Sequence, residues 1–220
     1  METIKPSQNS PIGIFDSGLG GLTVLKSLET ILPNESFIYF GDTAHVPYGT
    51  KSAETVIRYS QHIMDFFQKH ETKAVVIACN TASAVAFQHL QQLYNIPLFD
   101  VVTPSVEFAI NHTKNKNIGV VGTFSTIYSN AYTKMFQKLG SGCNVKEIAC
   151  PLFVPIIEEG WANTDIAENI AKIYLNEFQN INIDTLILGC THYPIMVNTI
   201  QKVLSNQINL VYSGKTVGIK

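Results

Sequence analysis

The chain has 220 residues, of which 45% are hydrophobic and 15% charged, and its net charge is −2 at pH 7. This length and composition suit one large domain or two small ones. It has no clustered run of lysine and arginine and no apolar segment near the roughly 20 residues that span a bilayer, so we expect no nucleic-acid or membrane partner.

The amino-terminal residues 1–11 are polar and lack the apolar centre of a signal peptide, which predicts an N-terminal extension and a cytoplasmic protein. The four cysteines are too widely spaced for a disulfide framework, and none forms a Cys-x-x-Cys clip, so we expect reduced thiols and no metal. Arg58 is the only arginine. Backbone N–H groups, hydroxyls and amides would therefore have to bind any ligand carboxylate.

The first predicted unit is a strand over residues 12–15, a glycine-rich turn and a helix over residues 22–31. The turn begins at Asp16 and Ser17. Its glycine spacing fits neither a dinucleotide fingerprint nor a phosphate-binding loop. Asp16 is predicted either as a helix N-cap or as a catalytic group, and the sequence is compatible with both roles.

A second strand over residues 37–40 leads into a loop that contains Pro47, Tyr48 and Gly49, and a helix follows over residues 52–70. Proline and glycine restrict the backbone on both sides of Tyr48. The loop is therefore a candidate wall of a pocket, although an aromatic residue that only packs is the commoner case.

The next stretch, Ala74-Val75-Val76-Ile77-Ala78-Cys79-Asn80-Thr81, predicts a buried parallel strand that ends at a cysteine, followed by a helix over residues 82–93. Ligands bind at the carboxyl ends of strands in open α/β sheets, and a helix N-terminus there favours a thiolate. Residues 185–194 repeat this pattern around Cys190, with Pro194 at the start of a helix over residues 195–204.

The two halves of the chain share further landmarks. After a short strand over residues 98–101, a helix to Asn111 and a polar linker over residues 112–117, the strand of residues 118–121 repeats the Ile-Gly opening of residues 12–13. Three landmark pairs, Ile12 with Ile118, the strands starting at 37 and 145, and Cys79 with Cys190, lie 106, 108 and 111 residues apart. This nearly constant offset indicates an internal duplication.

We therefore predict an α/β fold of two similar lobes with mainly parallel sheets, related by pseudo-two-fold symmetry, with the active site in the cleft between them. The first lobe spans residues 12–103 and the second 104–211, followed by a short C-terminal end over 212–220. In the second lobe, a helix over residues 166–178 precedes the Cys190 strand. Glu158 is predicted at a sheet edge in apolar surroundings, as a functional acid or as a surface turn residue.

The paired cysteines allow three interpretations. Both could be buried structural residues, because free cysteine behaves as a small hydrophobe. One could be a nucleophile with His192 as its base, which leaves the other unexplained. The third is a pair of acid/base groups on opposite faces of a substrate carbon, which alone uses the two-fold arrangement. A pyridoxal enzyme would need a Schiff-base lysine in a phosphate site, and no lysine follows a strand in such a setting.

Four motifs together resemble the glutamate racemases, cofactor-independent enzymes of peptidoglycan precursor supply and cell wall biogenesis. They are Asp16-Ser17-Gly18-x-Gly20-Gly21, Pro47-Tyr48-Gly49, Ala78-Cys79-Asn80-Thr81 and Gly189-Cys190-Thr191-His192-Tyr193-Pro194. The resemblance implies that Cys79 and Cys190 exchange protons with Cα of glutamate on opposite faces, assisted by Asp16, His192 and Glu158. It implies substrate binding by Asp16, Ser17, Pro47, Tyr48, Gly49, Asn80, Thr81, Thr123, Thr126, Thr191 and His192, without a cofactor.

Other functions remain open at this point. A racemase of aspartate or of another amino acid would share the cysteine pair, and a non-catalytic carboxylate-binding protein could use the same scaffold. A homodimer is compatible with the resemblance. The family usually has aspartate at the position of Tyr212 and continues into another helix, so we expect the C-terminal end to pack differently here.

Overall fold

A computed structural model describes residues 7–204 and 207–219 of the chain. Its described part contains two four-stranded sheets in which every neighbouring pair of strands is parallel. The strands are β1 (Ile12–Asp16), β2 (Phe37–Gly41), β3 (Ala74–Ile77), β4 (Leu98–Phe99), β5 (Asn117–Gly122), β6 (Asn144–Ala149), β7 (Thr185–Gly189) and β8 (Asn209–Tyr212).

Both sheets have the same strand order. The first sheet runs β2-β1-β3-β4 and the second runs β6-β5-β7-β8, so each strand of one sheet has a counterpart in the other. In the first sheet Ile12 pairs with Phe37, and in the second Ile118 pairs with Val145, which are the landmarks of the predicted duplication. The fold of two similar α/β lobes is therefore confirmed.

Helices α1 to α10 lie between successive strands along the chain, and α11 follows the last strand, β8. They are α1 (Leu22–Ile31), α2 (Ala53–Lys69), α3 (Asn80–Val85), α4 (Phe87–Leu93), α5 (Val102–His112), α6 (Phe124–Tyr128), α7 (Ala131–Lys138), α8 (Phe153–Glu158), α9 (Asp165–Leu175), α10 (Val197–Leu204) and α11 (Ser213–Thr216). None of the helices described is long and apolar enough to cross a membrane.

The central strands are buried because they are apolar on both faces. Every residue of β1 and β7 is buried, as expected for parallel strands covered by helices on both sides. Helix α5 packs on the second sheet, where Val106 and Ala109 join the core cluster of Val120 and Ile187. The chain therefore passes from the first lobe to the second at the start of α5.

The chain returns to the first lobe after β8. Val217 packs against the core cluster of Val24 and Leu28, and Ser105 on α5 hydrogen-bonds Thr216 on α11 at 3.1 Å between the two hydroxyl oxygens. Residues of the predicted C-terminal end thus pack on both lobes. Residues 1–6 of the predicted N-terminal extension, and Lys220, lie outside the described residues.

Local expectations were wrong in four places. The predicted helix over residues 82–93 is two helices, because the backbone deviates at Ala86 between α3 and α4. Pro194 lies in a 3-10 turn, Tyr193–Met196, and the α-helix begins after it. The expected turn after β8 is instead the short helix α11, and the strand near residue 98 has only two residues.

Candidate active site

The two cysteines occupy equivalent positions in the two sheets. Cys79 follows β3 and is the N-cap of α3, where its sulfur accepts a hydrogen bond from the Ala82 N–H at 3.5 Å. Cys190 follows β7, the counterpart of β3. Both thiols are buried, and all four cysteines are free. Each lobe therefore carries one thiol at the end of the equivalent strand.

Both thiols line one cavity between the lobes. Its volume is about 20 Å³, little more than one water molecule occupies, so the side chains around it are in close contact. Its walls come from both halves of the chain: Ser17, Pro47, Tyr48, Gly49, Cys79, Asn80, Thr81, Thr123, Val154, Cys190, Thr191 and His192.

Asp16 lies behind the cavity and joins the lobes. Its side chain is fully buried and accepts hydrogen bonds from the Gly18 N–H at 3.0 Å and, across the cleft, from the Thr191 hydroxyl at 3.2 Å. A side chain at Gly20 would place its Cβ 2.6 Å from the Thr191 hydroxyl oxygen and 3.0 Å from Nδ1 of His192. Glycine at this position therefore lets the two loops meet.

Tyr48 is held in the wall by a buried carboxylate. Its hydroxyl donates to Asp42 at 2.6 Å, and the other oxygen of Asp42 contacts Nδ1 of His45 at 2.7 Å. The next residue, Gly49, packs directly against Thr123 of the second lobe. This network fixes the wall that the sequence predicted at residues 47–49.

Three threonine hydroxyls form a closed triangle at the cavity wall. Thr81 of the first lobe contacts Thr123 at 3.0 Å and Thr126 at 3.1 Å, and Thr123 and Thr126 contact each other at 3.0 Å. Each hydroxyl can donate one hydrogen bond and accept two. The triangle can therefore reorient its protons toward a bound carboxylate without moving heavy atoms.

His192 lies between Cys190 and the surface. Its Nδ1 is 3.9 Å from the sulfur of Cys190, and its Nε2 is 3.4 Å from a carboxylate oxygen of Glu158. Glu158 ends α8, and its side chain is 46% exposed. The apolar surroundings predicted for Glu158 are therefore wrong, because its side chain lies at the helix end beside solvent, where it contacts His192.

Burial controls the ionisation of both thiols. Burial, together with the charge of Asp16, raises the pKa of Cys79 to about 12, while hydrogen bonds from Ala82 and Ser17 oppose the shift. Burial also raises the pKa of Cys190 well above its ordinary value. The Ala82 N–H at the helix N-terminus favours the thiolate as expected, but the pKa of Cys79 is raised overall because desolvation outweighs this effect.

The two thiols also affect each other. A negative charge on Cys79 raises the pKa of Cys190. Ionising one thiol therefore makes ionisation of the second harder, and the site favours one thiolate beside one thiol over two thiolates. Burial raises the pKa of Asp16 as well, against the lowering effects of the Gly18 N–H and of His192.

Most of the predicted site residues meet at the cavity wall. Three do not line it: Asp16 lies behind it, Thr126 contacts it through Thr81 and Thr123, and Glu158 lies outside it. Val154 on α8 lines the cavity and was missed, because a valine in an apolar helix gives no functional signal in sequence.

Within residues 7–204 and 207–219, no cluster of three or more His, Cys, Asp or Glu side chains could hold a metal ion.

The exposed position of Glu158 leads to a prediction. We expect Glu158→Gln to reduce racemisation of glutamate by less than about tenfold, because a solvent-exposed ion pair contributes little. Glu159→Gln is the matched control, since Glu159 is the neighbouring exposed acid. Steady-state kinetics of both variants check this, and a loss of about a hundredfold or more for Glu158→Gln alone would show that the carboxylate is essential.

The fold and the cleft define a class of protein. Residues 12–217 match the protein family described as Asp/Glu/Hydantoin racemase. The match contains both lobes and both cysteines. The class is therefore that of the two-lobed racemases.

Three similar proteins narrow this class. A glutamate racemase from Geobacter metallireducens is 48% identical over 93% of this chain and 76% of the relative. The structure of glutamate racemase isoform RacE1 from Bacillus anthracis superposes with a TM-score of 0.93 at 38% identity, over 97% of this chain and 80% of that one. A glutamate racemase from Francisella tularensis in complex with D-glutamate gives 0.89 at 44% identity, over 96% and 79%. The chain belongs to the glutamate racemases of the Asp/Glu/Hydantoin racemase family.

Proposed function

We propose that this chain interconverts L- and D-glutamate by moving protons on and off Cα with Cys79 and Cys190. The observation that carries the proposal is the arrival of one buried thiol from each lobe, at matched strand ends, in the wall of one cavity. A structural role for both cysteines would leave this symmetry without a purpose. A single nucleophile with a histidine base would leave one of the thiols unused.

The reaction removes a proton from one face of Cα and adds a proton to the other face. One thiolate takes the Cα proton, so that its S–H bond forms as the C–H bond breaks and the electron pair passes to Cα and the carboxylate. The opposing thiol then gives its proton to the other face of Cα. The product has the inverted configuration, and the two sulfurs have exchanged protonation states. The mutual repulsion of the thiolates supports the required pair of one thiolate and one thiol.

The developing charge on Cα and the carboxylate must be stabilised, because an α-proton of an amino acid is very weakly acidic. Backbone N–H groups, hydroxyls and the amide of Asn80 provide donors in a closed site, where electrostatic interactions are stronger than in water. Arg58 is exposed on α2 and stacks near Tyr59, away from the cavity wall. The proposed substrate-binding groups are Asp16, Ser17, Pro47, Tyr48, Gly49, Asn80, Thr81, Thr123, Thr126, Thr191 and His192, and Asp16, His192 and Glu158 assist the thiols.

The raised pKa values predict a pH dependence. The reactive protein carries one thiolate, and with a Cys79 pKa of about 12 the thiolate fraction rises about tenfold for each pH unit below that value. We therefore expect kcat/KM to rise nearly tenfold per unit from about pH 6.5 to about pH 8.5. Initial rates in constant-ionic-strength buffers check this. A flat profile over that range would show that the thiolate forms by another route.

The cellular role follows from the proposed product. We propose that the chain works in the cytoplasm and supplies D-glutamate for peptidoglycan precursors, as the resemblance implies. Depleting it in its host should arrest cell wall growth, and added D-glutamate should restore growth.

We also propose that the chain forms a homodimer. The aromatic rings of Phe124 and Tyr128 are exposed and stacked on each other, and they support a contact surface for this dimer. Light scattering of the purified chain would detect or exclude it.

Circular dichroism of L-glutamate with the purified chain and no added cofactor tests the proposed function. We expect the signal to decay to zero as the racemic mixture forms, while L-aspartate under the same conditions keeps its signal. Decay with L-aspartate alone would make this an aspartate racemase. A folded chain that binds glutamate and leaves its signal unchanged would be a carboxylate-binding protein instead.

A further inference from the structure

One buried tyrosine of the second lobe contacts both cysteine turns. Tyr132 on α7 is fully buried, and its hydroxyl oxygen accepts a hydrogen bond from Nδ2 of Asn80 at 2.9 Å. Asn80 directly follows Cys79. The same ring packs on Gly189, which directly precedes Cys190, so closely that a Cβ there would lie 3.2 Å from Cε2 and from the hydroxyl oxygen of Tyr132.

The amide of Asn80 is held from two sides. Its nitrogen donates to Tyr132, and its oxygen accepts from the Ser213 hydroxyl at 3.2 Å. Ser213 begins α11, the segment that returns from the second sheet to the first lobe. In this arrangement the nitrogen end of the amide faces Tyr132 and the oxygen end faces Ser213. Since an amide nitrogen has two N–H groups, one remains to face a ligand in the cavity that Asn80 lines.

We propose that Tyr132 is a positioning residue for racemisation. Its hydroxyl fixes the Asn80 amide with an N–H toward the substrate carboxylate, and its ring sets the position of the turn before Cys190. This proposal rests on the proposed function of the cavity. Without the hydroxyl, the amide can rotate and turn its oxygen toward the carboxylate, which opposes binding.

A simpler role for Tyr132 is packing alone. A buried tyrosine hydroxyl needs a hydrogen-bond partner wherever it lies, so the Asn80 contact by itself would also fit a core residue. The two roles differ in what they predict. A packing role predicts reduced stability with unchanged substrate affinity, whereas a positioning role predicts reduced affinity that depends on Asn80.

The test is Tyr132→Phe, which keeps the ring on Gly189 and removes only the hydroxyl. We expect the Kd of D-glutamate, measured by calorimetry, and the KM to rise about tenfold, because the amide loses the partner that fixes its orientation. We expect kcat to change less than about threefold, because the ring still holds the Cys190 turn. Tyr94→Phe is the matched control, since its hydroxyl bonds Gln61 and Asp65 outside the cavity.

A double-mutant cycle with Asn80→Ala separates the two roles. If Tyr132 acts through the amide, adding Tyr132→Phe to Asn80→Ala raises Kd no further, and Ser213→Ala alone weakens binding in the same direction. Independent effects that multiply, or a lower Tm with unchanged Kd, would overturn the proposal. Binding without racemisation by the wild-type chain would overturn the proposed function and still leave the role of Tyr132 measurable by Kd.

Discussion

Cys79→Ser is expected to lower the rate of glutamate racemisation by about 10³-fold, and Cys190→Ser by a similar factor. A serine hydroxyl in a buried site is a far weaker base than a thiolate and donates its proton poorly to carbon, so each variant loses one of the two proton transfers. Steady-state kinetics in both directions check the loss. Cys143→Ser is the matched control, because Cys143 is free and half-buried before β6, outside the cavity wall.

The two serine variants should differ in what they still do. Each keeps one cysteine, which can remove the Cα proton of only one enantiomer and return a solvent-derived proton to the same face. In deuterated water we therefore expect Cys79→Ser to exchange one enantiomer of glutamate and Cys190→Ser to exchange the other, both without inversion. Identical exchange of both enantiomers by both variants would contradict the assignment of the cysteines to opposite faces.

Gly49→Ala is expected to lower kcat/KM about a hundredfold. Its added Cβ would lie 2.4 Å from Cβ and 2.5 Å from Cγ2 of Thr123, which is too close for any adjustment of side chains alone. Thr123 is held by Thr81 and Thr126, so the loop carrying Tyr48 must move away from the second lobe. A displacement of about 1 Å in a site of this kind can cost about 10²-fold in rate.

The control for Gly49→Ala must separate lost stability from lost geometry. Gly140→Ala adds a Cβ in open space at a positive φ of 58°, which costs about 1 kcal/mol of stability at a distance from the cavity. We expect it to lower Tm and leave kcat/KM unchanged. If Gly49→Ala lowers kcat/KM by no more than Gly140→Ala does, the cavity wall adapts and the proposed fit between Gly49 and Thr123 is wrong.

The sequence predicted the parts of the site that depend on local pattern. The apolar runs before Cys79 and Cys190 are short, rich in branched residues and bounded by polar turns, which are typical of central parallel strands. Strand ends at one edge of a sheet lie together, so the residue pattern alone is enough to group the Cys79 turn with the loop of Asp16, which follow strands of the same sheet. The repeated Ile-Gly opening then relates the two sheets.

The sequence could not predict effects that depend on distant contacts. Tyr132 and Ser213 lie 52 and 133 residues from Asn80, and nothing local marks them as partners of its amide. The depth of each thiol is also a tertiary property, which is why a helix N-terminus suggested a lowered pKa and burial raised it. The exposure of Glu158 depends on where α8 ends relative to solvent.

In the proposed mechanism, two different groups act on the two faces of Cα. The most direct measurement follows L-glutamate in deuterated water with the wild-type chain, using proton NMR and chiral separation at low conversion. We expect the first D-glutamate formed to carry deuterium at Cα, while the remaining L-glutamate keeps its proton, because removal and delivery use different sulfurs. Early D-glutamate that retains the original Cα proton would mean that one group serves both faces, and would contradict the two-cysteine mechanism.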